Sequence, residues 1–174
     1  KKSYKIDETI YLKDIKHNKI VFVNGKLEEI NIEYEDSNKF KILKETNVEN
    51  NKFQDNALIN LNNAFTINNY KIYVEKNYSV KKPLVIYHTT NSELNSTNIN
   101  IQLNFLLGEN SSFKVIDVFN DLSEKNFINI YYNFDLKKES VLKNFKLDNL
   151  INNNIKYSFN NINQDANSVS ETFI

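Results

Sequence analysis

Three segments of the chain share one arrangement: Leu107-Gly108-Glu109-Asn110-Ser111-Ser112-Phe113, Lys137-Lys138-Glu139-Ser140-Val141-Leu142 and Asn163-Gln164-Asp165-Ala166-Asn167-Ser168-Val169. Each sets an acidic residue and small polar residues immediately before a stretch of β-formers. Aligned on the acidic positions 109, 139 and 165, they recur after 30 and then 26 residues. Periods of this size mark solenoids and propellers, in which one unit cannot bury its own apolar face and must stack on the next. A meandering β-sandwich, the alternative, turns every 8–12 residues or so and uses more Gly and Pro.

The intervening sequence reads as strands. Ile20-Val21-Phe22-Val23 runs into Asn24-Gly25, whose residues tolerate the positive φ of a type I′ turn, so a tight reversal is expected there. Ile30, Ile32 and Tyr34 alternate with polar residues as in a half-buried strand. Further strands are expected around Ile72–Val74, Leu84–Ile86, Ile99–Phe105, Phe113–Phe119, Phe127–Phe134, Val141–Leu147 and Ile155–Phe159. Residues 36–54 read as loop. One helix is predicted over 55–65, with Asp55 as its cap and Ala57, Leu58, Leu61, Ala64 and Phe65 on its apolar face. The organisation that follows is a charged tail or end of a preceding segment over 1–18 and a β-rich unit over 19–174.

Composition narrows the function. The 174 residues carry 22 basic and 22 acidic side chains, with 40% hydrophobic residues, enough for one cored domain. There is no Arg, which removes the forked donors that read bases and grip phosphates, so no nucleic-acid partner is expected. No apolar run approaches the roughly 18 residues of a spanning helix, so no membrane partner is expected either. The lack of Cys excludes a disulfide framework and a Cys-ligated metal centre on this chain. About a fifth of the residues are Asn, and Lys, Ile, Phe and Tyr are plentiful while Gly and Pro number 2 and 1, a bias expected of an AT-rich genome.

No catalytic constellation is visible. His17 falls in the tail and His88 ends the Leu84–Tyr87 stretch, with no second ligand at metal spacing, so His88 reads as a strand-end histidine satisfied by backbone or water. Glu28, Glu29, Glu33, Glu35 and Asp36 form the densest acidic run and read as a solvated strand face and loop rather than an acid–base pair. Two glycines cannot write a dinucleotide fingerprint or a P-loop. Lys81-Lys82-Pro83 reads as a turn entering a strand. We therefore expect no enzyme, and we assign no catalytic, cofactor-binding or metal residue.

Several strings, in order, resemble the SufD family of iron–sulfur cluster assembly proteins: Ile20-Val21-Phe22-Val23-Asn24-Gly25, the segment from Asn56 to Phe65, the segment from Ile72 to Tyr87 with Thr89-Thr90 after it, Leu107-Gly108-Glu109-Asn110-Ser111, and Val141 to Asp148. The resemblance implies a right-handed parallel β-helix core. It implies a non-catalytic scaffold subunit that pairs with a SufB-like paralogue and a SufC-like ABC ATPase, with the iron–sulfur cluster assembled on the complex and a flavin not assignable to this chain. It also implies a cytoplasmic bacterial location, a plastid-type organelle being the alternative. The family's cluster-associated histidine lies beyond the matched region, so neither His17 nor His88 takes that role. On this reading the chain is an N-terminal portion, truncated at its C-terminal end. A last rung near Ile174 would then present unpaired backbone and an apolar cross-section, from which self-association is expected. The alternative from another class is an extracellular β-solenoid or sandwich adhesin without enzymatic activity.

Overall fold

The computed structural model describes residues 11–45, 55–66, 69–91, 96–120, 122–149 and 154–174. Its strands are β1 (Asn18–Val23), β2 (Lys26–Asn31), β3 (Phe40–Glu45), β4 (Asn69–Val74), β5 (Leu84–Thr89), β6 (Asn98–Leu107), β7 (Ser112–Asn120), β8 (Phe127–Leu136), β9 (Val141–Asn149), β10 (Ile155–Gln164) and β11 (Val169–Phe173), with one helix, α1 (Ala57–Phe65), between β3 and β4. From β4 onward successive strands alternate between two facing sheets. One sheet runs β11-β9-β7-β5-β1-β2 and the other β10-β8-β6-β4-β3. Every pairing is parallel except β1 with β2 and β3 with β4. The result is a mainly β parallel solenoid of about three turns, as expected, and the parallel ladders exclude the sandwich.

The solenoid period has a visible physical origin in the corners. Asn77, Asn110, Glu139 and Asn167 all adopt positive φ, at 56°, 51°, 60° and 58°. Asn is the non-glycine residue that best tolerates this region, which explains how corners are turned with almost no Gly. In three of these corners a serine hydroxyl closes the turn by donating to the carbonyl three residues earlier: Ser111 to Gly108 at 2.7 Å, Ser140 to Lys137 at 2.6 Å and Ser168 to Asp165 at 2.8 Å. The repeat read from the sequence is therefore real but out of register. The Asn110 N–H donates to the Lys138 carbonyl and the Glu139 N–H to the Ala166 carbonyl, so the residues that correspond are 110, 139 and 167 rather than 109, 139 and 165. Residues linked between adjacent rungs are 33, 29 and 28 apart: the Asn110 and Asn77 side chains, the Thr97 backbone N–H donating to Asn126 Oδ1, and the Asn161 and Asn133 side chains.

Like side chains stack along the interior. Phe105 and Phe134, paired in register on β6 and β8, lie with ring centroids 4.4 Å apart, inside a core that includes Ile72, Leu103, Leu107, Val115, Ile130 and Leu136. The character changes in the last rung. Below Ile128, Ile130, Tyr132 and Leu136 of β8, the in-register residues of β10 are Lys156, Ser158, Asn160 and Gln164. Ile162, below Phe134, alone among these β10 positions continues an apolar row and packs on the core, so the cross-section on this side is mostly polar, not apolar as expected, because the other rows change residue type in the last rung.

At the other end the chain turns back twice. Asn24 and Gly25, with φ of 51° and 76°, make the expected tight reversal from β1 into β2. The expected strand through Ile32 and Tyr34 stops at Asn31 instead, and residues 32–38 form turns. The stretch 36–54 is not all loop: its residues 40–45 form β3, antiparallel to β4, and 46–54 lie outside the described residues. Of β3 only Phe40 is fully buried, which left no alternation to recognise.

The helix is where it was expected, but its cap and face differ. Asn56, not Asp55, accepts from the backbone N–H groups of Leu58 and Ile59 at 3.0 and 3.1 Å. Ile59 and Asn62 are buried, whereas Phe65 is 60% exposed. The reason is that α1 lies on the outer, amide-rich face of β6 and β8 instead of on an apolar core. Asn62 donates to the carbonyls of Ile101 and Asn129 at 3.2 and 2.7 Å, and Asn129 donates back to the Leu58 carbonyl at 2.7 Å.

Candidate functional site

The most unusual chemistry is inside the solenoid. His88 ends β5 and points inward, in register with Phe22 on β1 and Phe119 on β7. Its ring is stacked between theirs, with centroids 5.4 and 5.9 Å away. Two residues before Phe119 on the same inward face of β7 is Asp117, and opposite, on β8, is Tyr132. His88 Nε2 lies 2.8 Å from Asp117 Oδ1 and 2.8 Å from the Tyr132 hydroxyl, which itself donates to Asp117 Oδ1 at 3.0 Å. All three side chains are at most 2% exposed.

Proton accounting fixes the roles. Asp117 as a carboxylate only accepts, and the single proton of Tyr132 goes to it, so the hydrogen facing these two oxygens from His88 belongs to Nε2. Burial alone would raise the Asp117 carboxyl, but the charge and hydrogen bond of His88, with Lys156 and Lys146 beyond, hold it below the usual carboxylate range. Burial and the neighbouring Asp117 push the Tyr132 phenol well above its ordinary value. Tyr132 therefore stays a hydrogen-bond donor.

A polar column continues from this cluster toward the last rung. Lys146, in register with Asp117 on β9, donates to Ser158 Oγ at 2.9 Å and to Asn160 Oδ1 at 3.4 Å. Burial lowers its ammonium, opposed by Asp117 and reinforced by Lys156. Lys156 binds Asp148 and lies 4.8 Å over the Phe119 ring.

An imidazole held by a carboxylate is also the arrangement of a general base, so the space before its other nitrogen matters. His88 lines a crevice beside the β1–β2 turn with Phe22, Gly25, Thr89, Thr90 and Ile99, whose free volume is about 10 Å³. That is at the lower limit for a single water and far below the few hundred Å³ of a substrate pocket. The cluster is built for holding strands together.

Several other residues singled out by the sequence have structural partners. His88 Nε2 finds partners the sequence did not suggest, a carboxylate 29 residues away through the solenoid period and the Tyr132 hydroxyl. Glu35 is not a solvated side chain. Its carboxylate accepts from Asn18 Nδ2 at 2.9 Å, the Tyr78 hydroxyl at 2.7 Å and the backbone N–H groups of Lys81 and Lys82 at 3.1 and 3.0 Å. Burial would raise this carboxyl, but those four hydrogen bonds hold it below the ordinary range. Lys81-Lys82-Pro83 thus enters β5 with its free N–H groups tied to Glu35. Glu29 pairs with Lys19 at 2.8 Å and accepts from the Tyr11 hydroxyl at 3.0 Å. Residues 11–17, read as tail, lie on the outer face of the β1–β5 sheet: Leu12 N–H donates to the Tyr87 hydroxyl at 3.0 Å, and His17 Nε2 is 2.9 Å from that hydroxyl.

The sequence reading missed Asp117 and Tyr132. The available signal was the period itself, since one rung beyond His88 falls on 117–119.

Among the described residues no three His, Asp or Glu side chains are grouped to hold a metal ion, and no helix is long and apolar enough to cross a membrane. No protein-family model matches the sequence, and comparison with curated proteins finds no match.

Proposed function

We propose that this chain is a SufD-like scaffold subunit of a SUF-type iron–sulfur cluster assembly complex, acting without catalysis of its own. The observation that carries the reading is the coincidence of motif and architecture. Each string that resembles the family falls on a regular element or a corner of the fold: Ile20–Gly25 on β1 and its turn, Asn56–Phe65 on the capped helix, Ile72–Tyr87 on β4, its corner and β5, Leu107–Ser111 on the next corner, and Val141–Asp148 on β9. The crevice beside the polar cluster is far smaller than a substrate, which suits a subunit that works through its surfaces. In this reading the partners are a SufB-like paralogue and a SufC-like ATPase, the cluster is cargo of the complex, and the setting is the cytoplasm of a bacterium with an AT-rich genome.

The test is affinity capture of the native protein from its source cells with identification of what accompanies it. Co-purification of an ABC-type ATPase and a cysteine-bearing paralogue is the expected result. A product that returns with neither, or one recovered from outside the cell, overturns the scaffold reading and favours the adhesin.

A further inference from the structure

The crevice beside the β1–β2 turn is lined in part by His88. Both faces of the imidazole are covered by Phe22 and Phe119, and the Nε2 edge is spent on Asp117 and Tyr132. The edge left over carries Nδ1. That nitrogen is buried, has no hydrogen-bond partner in the protein, and belongs to a side chain 2% exposed. A buried polar atom left in this state costs about 1–3 kcal/mol. The crevice has a volume of about 10 Å³, and its lining includes Thr90, whose hydroxyl oxygen already accepts from the Leu122 and Ser123 N–H groups, and Thr89, whose hydroxyl donates to the Thr90 carbonyl at 3.4 Å and keeps its lone pairs for an incoming donor. One water molecule needs about that much space and two to four polar neighbours.

We propose that the crevice is a binding site for a single structural water, hydrogen-bonded to His88 Nδ1. The water completes the histidine's bonding and extends the internal polar column by one member toward the β1–β2 turn. Gly25 is part of the same construction: a Cβ built there would lie 2.7 Å from Ile99 Cγ2, so the turn approaches the crevice as closely as its missing side chain permits.

The experiment is NMR on the full chain with ¹⁵N-labelled histidine, reading magnetisation transfer from water to the His88 ring protons, together with a crystal structure at a resolution that shows ordered solvent. A persistent cross-peak from a slowly exchanging water, and density for one water about 2.6–3.2 Å from Nδ1, are expected. In Ile99→Phe, which fills the crevice, the cross-peak should be lost while the Nε2 contact to Asp117 persists. If that variant does not fold, the wild-type measurements decide. An empty crevice, density for anything larger than water, or absence of the cross-peak in the wild-type protein overturns the proposal.

Discussion

His88 and Asp117 meet at 2.8 Å across the step from one solenoid rung to the next, and no water-facing surface is shared by either. The contact locks the end of β5 to the middle of β7 by a charge-assisted hydrogen bond in a low-dielectric interior. Removing one partner leaves the other's polar atoms, and Tyr132's hydroxyl, without their bonds. Asp117→Ala is expected to lower stability by about 3–5 kcal/mol, measured as a shift in the urea midpoint. An effect below about 1 kcal/mol would show that the cluster is dispensable.

Glu35 links stability to acid. Its folded-state pKa is depressed, so its contribution is fully present above the unfolded carboxylate value of about 4.3 and is lost as pH falls through the lower folded value. Glu35→Gln should flatten the acid side of the stability–pH curve relative to wild type and leave the slope above neutrality unchanged. Equal acid slopes for the two proteins would contradict the four-bond arrangement.

Helix α1 is attached to the solenoid by amide hydrogen bonds more than by apolar area. Asn62→Ala removes its two bonds to the Ile101 and Asn129 carbonyls, and should cost about 2 kcal/mol. Hydrogen exchange should then speed up in 57–65 and stay unchanged in β6 and β8. Uniform acceleration across the sheet would mean the helix is integral to the solenoid's cooperativity.

The corners offer a gain. Glu139 is the one member of the stacked left-handed set that is not Asn, and its side chain lies at the surface. Glu139→Gly relieves the Cβ conflict at φ 60° and is expected to stabilise by about 0.5–1 kcal/mol, read as a higher melting temperature. Asn110→Gly should do little, because Asn already tolerates the region.

These cases show what a single sequence reveals of such a fold. Strand positions, the Asn24-Gly25 reversal and a period near thirty were legible because they depend on local chemistry: alternation, positive φ and small polar corners. Register was not, since Glu109, Glu139 and Asp165 look alike while the backbone aligns Asn110, Glu139 and Asn167. The helix face was misread because amphipathic patterning assumes an apolar neighbour, and Asn62 sits on an amide surface. β3 was invisible because one buried Phe40 makes no pattern. The His88 cluster was hidden for a further reason: Asp117 interrupts an otherwise apolar strand face, and its partner is set by stacking, not by sequence proximity.

The antiparallel strands β2 and β3 give the molecule a direction. They reverse chain polarity at one end, pairing antiparallel as the outermost strand of each sheet, whereas every later strand lies beside a neighbour made before it. During synthesis β1 and β3 are made before the strands that pair on them, so each rung meets a template already present. Folding can thus advance in step with translation, one rung at a time.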